Sequence, residues 1–281
     1  GIRLTHVDAG HILGAALARL EIPRPSGPPL RVALTFDLGR KNLPLLHDPV
    51  QIRDVDIVIS ESTYGDRDHL DARHEGEDLR LAVNRALARG GKVMIPTFAL
   101  GRAQEIIYLL AELREQNAIP DVPVYLDSPM AQAISRVFEF NLSYLDEDYH
   151  DLRSRMGSVM TAPWLRYTET VDESKAITSS SEPSIVLAAS GMCEHGRILH
   201  HLKHGIENPA NQVLLVGYQA VHTLGRRLQN KEPIVRIFGD EFEVRAEVET
   251  LGSFSAHADR NELFDYIQGT GAKYVFLVHG E

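Results

Sequence analysis

The chain has 281 residues, 43% of them hydrophobic and 24% charged, with a formal net charge of −10, which suits a globular protein large enough for two domains. A single cysteine, Cys193, excludes a disulfide framework and a cysteine-rich zinc finger and fits a reducing compartment, with the cytoplasm as the default location. No apolar run reaches the length of about 18 residues that spans a bilayer, and the acidic balance argues against a broad basic face for nucleic acid, so an anionic substrate would need bound cations or arginines beside helix N-termini.

Residues 14–36 read as a hairpin: strand 15–22, a Pro/Gly turn over 23–29, and strand 30–36. Strand 55–60 follows. From Glu75 the spacing of Leu79, Val83 and Leu87 predicts a helix that ends at Gly90-Gly91, followed by strand 92–96. A second helix begins near Arg102, with Ile106, Leu109, Leu110 and Leu113 as a single apolar stripe. Strands 124–126, 185–189, 213–217 and 234–237 alternate with helical stretches, which implies a parallel sheet. Between Tyr144 and Pro183 the periodicity weakens and the chain reads as loops and short helices. The alternation of Val244, Ala246 and Val248 predicts a strand; a loop over 253–259, helix 262–267 and strand 274–278 complete the chain. No internal repeat is found.

A histidine and acid set, His11, Asp37, Glu61, His257 and His279, lies just past apolar runs that read as strands. Ligand-type side chains at one edge of a sheet are how distant residues gather around a metal. The ligand-bearing segments fall in 1–65 and 251–281, so an α/β block over 66–250 is read as an inserted domain. Gly1 stands where an initiator Met would, and the chain stops directly after a strand; both ends read as cut.

The strings 9-AGHILGA-15, 37-DLGR-40, 61-ESTYG-65, 254-FSAH-257 and 277-LVHGE-281 occur in one order. Together they resemble the β-CASP group of metallo-β-lactamase-fold RNA-processing nucleases, over nearly the whole chain. The resemblance implies an α/β (α+β) class: a partial metallo-β-lactamase fold with an inserted parallel-sheet β-CASP domain. It implies His11 and His279 as metal ligands and Asp37 as the carboxylate bridging two Zn2+. It also implies Glu61 and His257 as a catalytic pair, the histidine protonating the leaving oxygen and the glutamate orienting it. Histidine in the last motif, His279, is what RNA-directed members carry.

Two departures stand out. The family's main metal motif, two histidines spaced by one residue and followed by an Asp-His pair, normally lies N-terminal to the segment with His11 and is absent here; Asp66-Arg67-Asp68-His69 does not replace it. This piece is therefore expected to hold zinc weakly, partially or not at all, and to cleave nothing by itself. Phe36 stands where the family has a small glycine before the bridging aspartate.

Three loops of the inserted block follow strands and open helices, where open α/β sheets bind ligands. They carry Arg102, Ser128, Ser190 and Arg197, and a fourth such loop carries Arg226. Backbone N–H groups there attract phosphate and the arginines add bidentate contacts. Ser128-Pro129 reads equally as a plain helix cap, and Arg226 as a solvated arginine at a helix start. His200 and His204 have ligand spacing, but with no carboxylate in register they read as solvated or phosphate-facing. The leading expectation is a zinc-dependent ribonuclease acting on single-stranded RNA, with no membrane partner and with room for a homodimer. The alternatives are a non-catalytic β-CASP subunit that binds RNA or a partner nuclease, and a DNA-directed relative.

Overall fold

The computed structural model describes residues 1–69 and 74–280; Glu281 of the last motif string and residues 70–73 lie outside the described residues. The chain divides into two compact units, Gly1–Arg73 with Tyr144–Asp146 and Ser255–Glu281, and His74–Ser143 with Glu147–Phe254.

The first unit is built on a five-stranded sheet in the order β1 (Arg3–Asp8), β2 (Ala16–Ile22), β3 (Leu30–Leu34), β4 (Ile57–Glu61), then β13 (Tyr274–Val278) at the edge. The β1/β2 and β2/β3 pairs are antiparallel, whereas β3/β4 and β4/β13 are parallel. Strands β1, β3, β4 and β13 therefore all run the same way, and their C-terminal ends share one edge of the sheet. The expected hairpin is present, its turn made with Gly27 at φ 83°. The sequence reading implies a strand before His11 but sets no bounds for it; the first four residues of β1 are all exposed, so it lacks the half-buried alternation that marks a strand in sequence. Helix α8 (Arg260–Gly269) starts two residues before the expected point. Asp259 caps it in a reciprocal box with Glu262, a D-x-x-E signature that was legible. Leu263 and Tyr266 of α8 pack with Leu17, Ala33, Leu38 and Val58 as the core of this unit.

The second unit holds a six-stranded sheet, ordered β12 (Glu247–Thr250), β9 (Gln212–Leu215), β5 (Val93–Pro96), β8 (Ile185–Ala188), β6 (Val124–Leu126) and β7 (Leu165–Tyr167). Every pairing in it is parallel. All residues of β5, β8 and β9 are buried, as expected of strands covered on both faces. The α/β class expected from the alternation therefore holds, with four corrections. Strand 234–237, here β10 (Ile234–Ile237), is not in the parallel sheet; it forms an antiparallel hairpin with β11 (Asp240–Glu243). Phe238 and Gly239 both have positive φ, 54° and 90°, so the tight turn of that hairpin is carried by a dipeptide outside the usual Asn-Gly signal. The strand expected through 244–248 is instead β12, which begins at Glu247. Helix α2 (Arg102–Glu115) is buried on most of its circumference, Ile107, Tyr108 and Ala111 included, and not along one stripe. The stretch 144–183 contains β7 as well as helices α4 (Glu147–Met156) and α5 (Val171–Ser179). No helix among the described residues is long and apolar enough to cross a membrane.

Candidate metal centre

The shared strand edge of the first unit carries four of the five singled-out residues, and a neighbouring loop brings the fifth. His11 lies in the loop after β1, Asp37 just past β3, Glu61 is the last residue of β4, and His279 follows β13. His257 comes from the loop before α8, which is tied to the Asp37 loop by a bridge between Gly39 and His257 and by the Ala258 N–H donating to the Leu38 carbonyl at 2.8 Å. Gly39 is required by close approach: a Cβ there would stand 2.0 Å from the Gly10 carbonyl oxygen and 2.6 Å from the His11 nitrogen. The His11 and Asp37 loops touch backbone to backbone, with the Gly39 N–H donating to the Ala9 carbonyl.

Glu61 is the hub. Its carboxylate is 1% exposed and accepts from the Leu38 N–H, from the Thr63 hydroxyl and, at 3.1 Å to each oxygen, from Nδ1 of His257. Burial alone would raise its pKa, but the hydrogen bonds from His257 and Thr63 outweigh this and hold it below the usual glutamate value. For His257 burial pulls down, and the bonded, charged Glu61 more than reverses it, so the pKa is raised. His11 stacks at a tilt on His257, ring centroids 4.4 Å apart. Burial and then the His257 charge lower the His11 pKa, keeping that imidazole neutral. His279 joins through Thr63, whose Oγ1 is 3.1 Å from its Nδ1.

One ligand-type atom each from Asp37, Glu61 and His257 lies within 4.8 Å of the others. This compact trio includes one of the three expected ligands, Asp37, and both members of the expected catalytic pair; His11 and His279 flank it. Imidazole and carboxylate donors suit zinc. His11 is also largely buried, its ring hydrogen-bonded to the Ala256 backbone and stacked on His257, so an imidazole stands beside the trio. The residues present thus fit a divalent ion. Sequence reasoning gave Thr63 no role of its own and set His69 aside as no substitute for the missing metal motif. The His69 ring packs edge-on against Tyr64 at 4.5 Å, and Tyr64 in turn lies 6.0 Å from the His257 ring. Burial and the nearby Arg40 push the His69 pKa down to about 4. Phe36 has φ 45° and a ring that is 57% exposed. A left-handed backbone at this position is the physical reason a glycine suits it.

In the second unit, each expected substrate contact has an internal partner. Arg102 pairs with Glu105 and stacks over Phe254. Ser128 caps α3 (Pro129–Phe140) by accepting from the Ala131 N–H. The Ser190 hydroxyl accepts from the Glu194 and His195 N–H groups. Arg226 donates to the Gln219 carbonyl at 2.7 Å and lies over Tyr218. Arg197 donates to Asp127, to Thr168 and to the Glu169 carbonyl. Asp127, fully buried, also accepts from Ser174, Thr168 and His201. Burial would raise its pKa, yet these partners hold it far below the carboxylate range. His201 is thus an internal partner of Asp127, while His200 and His204 are exposed and belong to no metal-type cluster among the described residues.

Residues 103–228 match the family model of the Beta-Casp domain, and residues 241–281 that of the Zn-dependent metallo-hydrolase RNA specificity domain. The chain is similar along its whole length to the ribonuclease TTHA0252 of Thermus thermophilus, at 39% identity over 63% of that protein. It is also similar to the transcription termination factor FttA of Methanocaldococcus jannaschii, at 35% over 45% of it. The endoribonuclease YSH1 of Kluyveromyces lactis is 30% identical over 37% of its length. The chain thus spans under two thirds of each of these relatives.

Proposed function

We propose, from the premise that this chain belongs to the β-CASP family of metallo-β-lactamase-fold nucleases, that its parent protein is a zinc-dependent ribonuclease that hydrolyses phosphodiester bonds of single-stranded RNA. The observation that carries this reading is the meeting of Asp37, Glu61 and His257 at one strand edge, flanked by His11 and His279. Asp37 would hold two zinc ions as the bridging carboxylate, with His11 and His279 as further ligands. Bound there, zinc lowers the pKa of water and offsets charge on the phosphoryl oxygens. The chain's own residues do the rest. His257, held by both Glu61 oxygens, keeps its Nδ1 proton on the carboxylate and turns Nε2 away from it, the arrangement of a proton donor steered by an acid. Glu61, anchored by the Leu38 N–H, fixes that ring in place. In the second unit, the loops that carry Arg102, Ser128, Ser190, Arg197 and Arg226 would line the path of the RNA through backbone N–H groups, with the side chains shaping those loops. The names of the ribonuclease and endoribonuclease relatives support this reading, as does the RNA specificity domain match.

A second reading is favoured by the compactness of the trio, in which Glu61 and His257 are themselves ligands. One experiment separates the two. In the parent protein, His257→Ala should slow RNA cleavage by about 100-fold or more while zinc content, measured by elemental analysis, stays at the wild-type level. Loss of zinc in that variant would make His257 a ligand, and wild-type cleavage would sink the assignment altogether.

A further inference from the structure

The Thr63 hydroxyl has three neighbours: Oε2 of Glu61 at 2.5 Å, Nδ1 of His279 at 3.1 Å and the His279 carbonyl at 3.3 Å. A hydroxyl has one proton to give and two lone pairs to receive. An ionised carboxylate can only accept, and Glu61 is already receiving from a backbone N–H and from His257, so the Thr63 proton points at Glu61 along the shortest of its contacts. What Thr63 then presents to His279 is a lone pair. Two lone pairs at 3.1 Å repel, so Nδ1 of His279 must carry the proton. We propose that Thr63 is a positioning residue that relays the Glu61 charge to His279 and fixes that imidazole as the Nδ1–H tautomer, leaving Nε2 as its free donor. A single buried carboxylate thereby sets two histidines in the same sense, His257 directly and His279 through one hydroxyl.

The ring of His279 is held near Thr63 by other means, which isolates the role of the hydroxyl. Ser62 Oγ donates to the Val278 carbonyl at 3.1 Å, and a Cβ on Gly280 would stand 2.3 Å from that same Oγ. The backbone turn at His279 is therefore packed on Ser62, and the longer contact of Thr63 with the His279 carbonyl is only one of its supports. A carboxylate acting on a histidine through a hydrogen bond is the general way a ligand's basicity and orientation are set. The consequence for zinc rests on the reading of His279 as a ligand given above; the tautomer does not.

The test uses the 15N-labelled chain without metal, at about pH 8, where an ordinary histidine is neutral, and two-bond 1H–15N correlation spectra that report which ring nitrogen holds the proton. Wild type and Thr63→Ser should both show His279 as the Nδ1–H form. Thr63→Val, of nearly the same shape, should move it toward Nε2–H, with backbone spectra confirming an intact fold. An Nε2–H signal in the wild type, or no change in Thr63→Val, would overturn the proposal. Zinc affinity, read by chelator competition, should fall about 10- to 100-fold in Thr63→Val and recover in Thr63→Ser. A tautomer shift without that loss would uphold the relay and remove His279 from the ligand set, which is a failure of the functional reading alone.

Discussion

Phe36 and Gly39 frame Asp37 with opposite backbone needs. Gly39 sits where a side chain cannot fit, because the His11 loop passes against its Cα. Phe36 holds a left-handed φ of 45° that costs a residue with a Cβ about 1–2 kcal/mol. Its exposed ring recovers little of that by burial. Replacing it should relieve strain, partly offset by the greater freedom of an unfolded glycine. We expect Phe36→Gly to leave stability unchanged or to raise it by up to about 1 kcal/mol in urea titrations. A loss larger than about 1 kcal/mol would mean that the ring has a packing partner. The departure from glycine leaves Asp37 within reach of Glu61 and His257.

At the scale of an element, β13 is unusual. Its five residues Tyr274, Val275, Phe276, Leu277 and Val278 are all apolar or aromatic, all exposed, and lie on the open edge of the sheet beside β4. Natural edge strands are guarded by charges, bulges or cover, since bare ones template pairing with another chain. The 281-residue piece by itself should therefore self-associate with rising concentration. Phe276→Lys, which places a charge on the exposed edge, should reduce light scattering and raise solubility without touching the Glu61 end of β4. Equal scattering by both proteins would show that β13 is not the sticky surface.

At the scale of the whole molecule, acid stability should hinge on Asp127, which ties the loops after β6 and β7 to α5 and to α6 (Ile198–Gly205). Its folded pKa is depressed, so it contributes stability above its unfolded value of about 4 and loses it as the pH falls toward the folded value. Asp127→Asn should lower the unfolding free energy at pH 7 by about 3–5 kcal/mol, the usual cost of breaking a buried ion pair. The gap between variant and wild type should shrink below about pH 4. Equal urea midpoints at pH 7 would remove Asp127 from this role. What the sequence determined by itself was local and patterned: the hairpin at Gly27, the helix from Glu75, strand 274–278, and the placing of Asp37 and His279 just past strands and of Glu61 at a strand's end, because period, caps and turn residues are short-range signals. What only the tertiary structure decided was which groups meet: Thr63 between Glu61 and His279, His201 on Asp127, β10 with β11 and not with the parallel sheet. Those pairings depend on strand order and on backbone approaches such as Gly39 on Gly10, where residues far apart in the chain come within a hydrogen bond, and no spacing rule along the sequence encodes that distance.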